Sequence, residues 1–317
     1  MSVLYLSDTD VRGLLTVELA IEAVSAAFRK MSLDEAVNVP RQRCQTDHVV
    51  MHVLPAAAKT LDALGLKVNR TGSGVRQSQL FLFDPRDGTL AAILESVYLG
   101  SVRTGAASAV ATKKLARADA QTLGLLGAGT QARTQLLAIA KVRALRTVRV
   151  FARDAVALGE FAEEMTTTLG LEVRPVDTAA EAVRQCDIVV TATDSREPVL
   201  FGEWLEEGTH VNLVGSNFLS KAEADVVVFR RAAVVTVDSK EQAKLEAGDF
   251  VAAMNEGVLH WSDVHKFAHV LTGRYPGRQS PAEITVFKSL GLGLEDIAVG
   301  AKVLALARAA GVGRVIL

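Results

Sequence analysis

The sequence predicts an α/β fold: a doubly wound parallel sheet together with a smaller α+β domain. Three observations carry that expectation. The apolar run 123–126 leads straight into Gly127-Ala128-Gly129-Thr130-Gln131-Ala132, and a helical pattern with apolar Leu136, Leu137 and Ile139 follows at once. From residue 121 onward extended and helical runs alternate, which argues a parallel sheet. Before it, residues 39–95 hold short extended runs with turn signals between them, the pattern of an antiparallel sheet.

Taken in order, Ser7 with Asp10 forms a capping arrangement, and Thr16 opens a helix to about Met31. Its Leu19, Ala20, Ala23, Val24, Ala27 and Phe28 fall on one face. Extended runs follow at 39–45, 49–54, 64–69, 78–84 and 89–95. Asp84-Pro85-Arg86-Asp87-Gly88 between the last two is a turn signal and predicts a hairpin. Residues 98–117 read as a helix of small residues, suited to close packing. Extended runs at 123–126, 147–152, 171–176, 188–193, 210–214 and 234–237 then alternate with helical patterns such as 154–169 and 178–186. A helix over 239–247, a less regular region to about Arg278, a turn at Ser289-Leu290-Gly291 and a helix from about Glu295 to Ala310 complete the chain. The change of rhythm divides it into residues 1–117 and a dinucleotide-binding domain of residues 118–291.

Composition narrows the function. A length of 317 residues fits two domains of ~100–200 residues each. Lys+Arg 35 against Asp+Glu 36 leaves the chain near neutral, so nothing recommends nucleic acid or an anionic membrane as partner. No uninterrupted apolar segment reaches the ~18 residues of a membrane span. The opening MSVLYLSDTD lacks a basic region followed by an apolar core, so it does not read as a signal peptide. Cys44 and Cys186 stand in no C-x-x-C spacing and read as reduced, buried thiols, and a cytoplasmic enzyme is the expectation.

The glycine motif carries chemistry because of its flanks. Strand, tight turn and helix start are the context of the Rossmann dinucleotide fingerprint. The first glycine permits the turn, the second lets backbone approach a pyrophosphate, and small Ala132 lets helix and sheet pack. The helix N-terminus then holds the phosphate charge. In NAD enzymes of this kind an acidic residue about 20 positions further on accepts the ribose hydroxyls. Here the second strand ends in Ala152, Arg153 and Asp154, and Asp154 suits the N-cap of the next helix. Arg153 offers a planar fork to a 2′-phosphate, so NADP(H) is preferred over NAD(H), which stays possible.

A second group of residues points to a small anionic substrate. Arg41 and Arg43 alternate on a strand and share a face. Lys67 interrupts an apolar strand, and Arg103 lies in the helix of small residues. Long cations rarely go deep without a partner. Several of them near one cleft would bind a carboxylate, with arginine supplying bidentate geometry. Both Arg41 and Arg43 remain candidates; Arg41 is favoured because it directly follows Pro40. His265 and His269 have helical spacing and His48 and His52 share a strand face, but neither pair has the acidic or cysteine ligands of a metal site.

Together these stretches resemble the ornithine cyclodeaminase/mu-crystallin family nearly end to end. The carrying residues are Pro40-Arg41, Leu54-Pro55-Ala56, Gly65-Leu66-Lys67, Val102-Arg103-Thr104-Gly105-Ala106-Ala107, the glycine motif, Val237-Asp238-Ser239 with Glu246-Ala247-Gly248-Asp249, and Ile284 through Gly291. The resemblance implies a homodimer in which the first domain, completed by residues 292–317, binds substrate and forms the dimer. It implies that Arg41 or Arg43, Lys67 and Arg103 hold a substrate α-carboxylate, with Lys67 also near the reacting carbon. Thr104, Gly291 and the strand ends Thr191-Ala192-Thr193 and Val214-Gly215-Ser216 join the glycine motif as expected cofactor contacts. Members include ornithine cyclodeaminase, an alanine dehydrogenase and imine reductases acting on cyclic ketimines.

The chain departs from the cyclodeaminases at one informative place. They carry an aspartate after the fifth strand, and Asn217 stands there in this sequence. Cyclodeamination must steer a side-chain amine onto the oxidised α-carbon, which a carboxylate can assist and an amide can only hydrogen-bond. Reduction of a small imino acid, reversible as an amino-acid dehydrogenase, is therefore the expected activity, with Lys67 and Asn217 as its catalytic residues. The alternatives are ornithine cyclodeamination with recycled NAD and a non-catalytic NADP-binding protein.

Overall fold

The computed structural model describes residues 2–72 and 74–316. After strand β1 (Leu4–Leu6), Ser7 caps helix α1 (Asp8–Leu14) reciprocally with Asp10, and Thr16 caps α2 (Val17–Ser32). Strands β2 (Ala36–Asn38), β3 (Gln42–Gln45), β4 (Val49–Ala58), β5 (Ala63–Gly72), β6 (Val75–Phe83) and β7 (Leu90–Glu95) lead to α3 (Val97–Leu115). Strand–helix alternation follows: β8 (Thr122–Leu126), α4 (Thr130–Ala140), β9 (Thr147–Phe151), α5 (Ala155–Leu169), β10 (Val173–Pro175), α6 (Ala179–Val183), β11 (Ile188–Thr191) and β12 (His210–Leu213). Then come α7 (Val226–Arg231), β13 (Ala232–Val237), α8 (Lys240–Glu246), α9 (Gly248–Asn255), β14 (Val264–Lys266), α10 (Phe267–Leu271) and β15 (Ile284–Lys288). The chain ends with α11 (Gly293–Ala310) and β16 (Arg314–Val315).

Two compact units result, Met1–Ala107 with Gly291–Leu317, and Ser108–Leu290. The first division falls inside α3 rather than after Arg117, because α3 is one continuous helix with no break for the sequence to mark. Gly291, expected at the end of the second domain, belongs to the first unit.

In the first unit the sheet runs β16-β1-β7-β6-β5-β4-β2, with β3 also paired to β4. It is antiparallel except where β1 joins β7 in parallel. The turn between β6 and β7 closes as the composition of 84–88 dictates: Gly88 N–H donates to the Asp84 carbonyl at 2.9 Å, and the Asp84 side chain accepts from Arg86 N–H. Helix α11 packs on β4, β5 and β6 and against α2. Alternation along the strands buries Leu54, Ala56, Leu80, Leu82 and Leu94 on one face, and Lys67 with them. The opposite face is apolar too: Pro55, Leu66, Phe81 and Ile93 stand in one cross-strand row and are half-buried.

The second unit is an eight-stranded parallel sheet in the order β10-β9-β8-β11-β12-β15-β13-β14. Strand order reverses between β8 and β11, the switch point at which such sheets open a crevice at their carboxyl ends. Two apolar clusters cover it: Val189, Val211 and Leu213 belong to one, and Ile188, Val190 and Leu125 to the other. Strand β15 goes beyond the sequence expectation. It inserts between β12 and β13 with all five residues buried, so its run lacks the alternation that marks half-exposed strands. The helix expected over 178–186 stops at Val183, because Arg184 turns extended and Gln185 takes a φ of +57°. The region before Arg278 is regular in parts, holding α9, β14 and α10. Among the described residues no helix is long and apolar enough to cross a membrane.

Candidate active site

At the end of β8 the chain turns through Gly127 at a φ of +110°, and a Cβ there would lie 2.5 Å from the Ala192 carbonyl oxygen. Only glycine suits both constraints. Gly129 is the N-cap of α4, no side chain caps that helix, and a Cβ at Gly129 would meet nothing within 4 Å. The first-turn N–H groups thus combine with the positive end of the dipole beside open space. Ala128 and Gln131 are half-buried, Thr130 is exposed, and Ala132 is buried against the sheet. A pyrophosphate fits this turn.

At the tip of β9, Asp154 accepts from the N–H groups of Val156 and Ala157 at 3.0 and 3.1 Å and so caps α5. The Arg153 side chain is 85% exposed and touches Asp194 only at 3.4 Å, an exposed contact that holds it weakly. The strand tip therefore presents a cation.

The ends of β11 and β12 are organised by a residue that the sequence reading did not single out. Buried Glu223 accepts from the Thr191 hydroxyl at 2.7 Å, from Thr193 N–H and hydroxyl at 2.7 Å each, and from Gly215 N–H at 2.6 Å. The polar groups of these expected cofactor contacts thus turn toward the protein. The Ser216 hydroxyl likewise donates to the Lys221 carbonyl at 2.8 Å. Ala192 and Val214 are half-buried at the strand ends, and half-buried Asn217 follows Ser216. Burial pushes the Glu223 carboxyl up, the Asp249 carboxylate adds to this, and Lys288 opposes it.

In the first unit three of the expected cations converge. Lys67 Nζ donates to Asp296 Oδ1 at 2.9 Å. Arg103 donates from Nε to the same oxygen at 3.0 Å and from Nη1 to Glu295 Oε2 at 2.7 Å. All four side chains are buried. Helix α3 can host this because Gly100 faces the Lys67 ammonium, where a Cβ would overlap it. Glu295 and Asp296 occupy the first turn of α11, where the helix dipole favours negative charge. Burial alone would raise Asp296; Arg103 and Lys67 overcome it and hold the carboxyl below its ordinary range. Lys67 is lowered, chiefly by burial, against the pull of Asp296.

Gly291 joins the third cation. Arg41 Nη2 donates to its carbonyl at 2.9 Å, its φ is +79°, and a Cβ on it would lie 2.6 Å from Arg103 Nη1. Arg43 goes elsewhere: its Nε donates to His52 Nδ1 at 3.2 Å. Burial, then Arg41 and Arg43, push His52 down to about 4, so it is neutral near pH 7 and Nδ1 accepts. The Thr104 hydroxyl donates to the Gly100 carbonyl of its own helix at 2.8 Å. His265 stacks on Tyr275 with centroids 3.4 Å apart. Among the described residues no three His, Cys, Asp or Glu side chains are grouped to hold a metal ion.

Glu295, Asp296, Glu223, Asp249 and Lys288 are thus the functional candidates missing from the sequence reading. The available signal was charge inside apolar runs, Lys288 closing ITVF and the acidic pair between Leu294 and Ile297.

Residues 2–309 match the ornithine cyclodeaminase/mu-crystallin family. The chain is 35% identical to an alanine dehydrogenase of Archaeoglobus fulgidus over 94% of its length and 93% of that protein's. It is 34% identical to a Delta(1)-pyrroline-2-carboxylate reductase of Bacillus cereus, over 93% and 94% of the two chains. The solved Delta(1)-pyrroline-2-carboxylate reductase of Thermococcus litoralis, in complex with NADH and L-proline, superposes with a TM-score of 0.94 at 35% identity, covering 99% of this chain and 100% of that one. The chain belongs to the ornithine cyclodeaminase/mu-crystallin family.

Proposed function

We propose that the chain is an NADPH-preferring reductase of a small cyclic α-imino carboxylate, able to run in reverse on the corresponding amino acid. The imine reductases and the amino-acid dehydrogenase among its relatives support an oxidoreductase acting on CH–NH bonds with a nicotinamide cofactor. The observation that carries the reading is the buried group Lys67, Arg103, Glu295 and Asp296, with Arg41 tied to Gly291 beside it, in a chain that also holds the glycine turn. When bound, the dihydronicotinamide supplies a hydride to the imine carbon. Gly127, Gly129 and the first turn of α4 would hold its pyrophosphate, and Arg153 would pair with a 2′-phosphate.

Arg103 and Arg41 bind the substrate carboxylate and so orient the C=N bond. Lys67, whose ammonium burial lowers from its ordinary range, holds a proton at the imine nitrogen. Asn217, just past the end of β12, is suited to accept a hydrogen bond from an N–H group without taking its proton, since an amide does not ionise. We assign substrate binding and dimerisation to the first unit, and cofactor binding to the second. The half-buried apolar row Pro55, Leu66, Phe81 and Ile93 supports a homodimer through the sheet of the first unit. Cys186 is buried as expected and Cys44 is exposed, contrary to expectation; both thiols are free, which fits a cytoplasmic protein.

The test follows absorbance of NADPH and NADH against Delta(1)-pyrroline-2-carboxylate and linear imines, with ornithine as a separate arm. Coenzyme oxidation dependent on a cyclic imine is expected. Proline and ammonia from ornithine with no net coenzyme change would replace this reading by cyclodeamination.

A further inference from the structure

Glu223 has an unusual set of partners for a buried carboxylate. None of the four donors noted above is a cation; they belong to Thr191, Thr193 and Gly215, at the carboxyl ends of β11 and β12. Gly215 is pressed so close that a Cβ would overlap both the Thr193 carbonyl and Glu223. Behind Glu223 a second layer is buried. Asp249 Oδ1 accepts from Glu223 N–H at 2.6 Å and Ala224 N–H at 3.2 Å, and Lys288 Nζ lies 2.8 Å from Asp249 Oδ2. Lys288 also donates to the Ser216 carbonyl at 2.6 Å. The segment 215–223, which carries Asn217, is therefore fixed at its start by Glu223 and Lys288 and at its end by Asp249.

We propose that Glu223 is a positioning residue for cofactor binding, a single carboxylate that sets the spacing of the β11 and β12 ends around the nicotinamide side of the crevice. The proposal rests on the reading that the second unit binds a nicotinamide dinucleotide. Burying a carboxylate is costly unless its acceptor sites are filled, and here each oxygen receives two donors. Those bonds add nothing to the sheet ladders, which are complete without them. What they determine is where Ala192 and Val214 stand, at the edge where open α/β sheets bind their ligands. An amide cannot replace the carboxylate. Its NH2 would face a backbone N–H of Gly215 or Thr193, and neither can turn to accept.

The experiment compares wild type, Glu223→Gln and Thr191→Val, titrating NADPH and NADH by nicotinamide fluorescence and measuring steady-state KM for coenzyme and for the cyclic imine. Circular dichroism melting establishes which variants fold. Glu223→Gln is expected to weaken coenzyme binding on the order of tenfold or more, the scale of a buried donor left facing a donor. The KM for imine should stay within about twofold, a split that general loss of structure would not give. Thr191→Val removes one donor without changing charge or volume much and should weaken coenzyme severalfold. A folded Glu223→Gln with wild-type coenzyme affinity overturns the proposal. If Glu223→Gln does not fold, Thr191→Val decides: weaker coenzyme binding supports it and unchanged binding overturns it. Wild type that binds neither coenzyme overturns the functional reading itself, and the proposal falls with it.

Discussion

Lys67 on β5 donates to Asp296 on α11 at 2.9 Å, joining positions 229 residues apart through one buried charge pair. Asp296 serves Arg103 as well, so the two ends of the pair are not equivalent. Removing one partner of a buried ion pair strands the other and costs about 3–5 kcal/mol. Asp296→Asn should lower the unfolding free energy on that scale, because it leaves both Lys67 and Arg103 short of charge. Lys67→Met leaves Asp296 with Arg103 and should be milder in urea unfolding. It should nevertheless abolish imine reduction while NADPH still binds. Near wild-type turnover in Lys67→Met would make Lys67 a purely structural residue.

The proposed preference for NADPH turns on Arg153. Its exposed contact with Asp194 contributes little, so the guanidinium is available to a phosphate. Charge-assisted bonds to phosphate are worth roughly 1.5–3 kcal/mol. Arg153→Ala is expected to raise the Kd for NADPH at least about tenfold and to leave NADH within about threefold. Equal losses for the two coenzymes would remove the argument for NADPH.

These two cases show where the sequence was legible. The glycine turn could be read because its chemistry is local: Gly127, Gly129 and the start of α4 are neighbours in the chain. The hairpin at 84–88 and the caps Ser7, Thr16 and Asp154 were readable for the same reason. Cation types were legible as misfits, Lys67 and Arg103 in apolar or small-residue surroundings. Their partners were not, since Glu295 and Asp296 are nearly two hundred positions or more away and sequence spacing says nothing about such contacts. Strand β15 was hidden because a strand buried on both faces has no alternation to betray it. Glu223 was hidden because its partners lie on two separate stretches, 191–193 and Gly215, which only the fold brings around it.

Acid stability should report His210. It is fully buried on β12, its Nδ1 lies 2.9 Å from the Thr285 hydroxyl, and burial followed by the Arg278 charge drives it down to about 3 from 6.5. The folded state therefore binds fewer protons than the unfolded chain between those values. Stability is held above about pH 6.5 and lost as pH falls toward 3, by roughly 3–5 kcal/mol. Replacing His210 by Asn should flatten the unfolding free energy between pH 6.5 and 4, even if the variant is less stable at pH 7. An unchanged slope in urea titrations across that window would show that His210 titrates normally in the folded chain.

Asn217 separates reduction from deamination. It follows β12 in a segment held at one end through Ser216 and at the other through Glu223, so a substitution there changes chemistry more than placement. Reduction requires a protonated imine nitrogen when the hydride arrives, and a group that accepts from that N–H without removing the proton serves it at any pH. Aspartate, which the family's cyclodeaminases carry at this place, would accept the same bond but also titrate. Above its pKa it would stabilise the protonated imine; below it, it would lose that charge and turn donor. Asn217→Asp should therefore convert a flat kcat profile on the acid side into one that falls as pH drops toward the ordinary aspartate range of about 4. The same carboxylate can receive the proton of a second amine, so a trace of proline and ammonia from ornithine is expected from the variant and none from wild type. Profiles that coincide across the whole range would place Asn217 outside the reaction, and the preference for reduction would then need another origin.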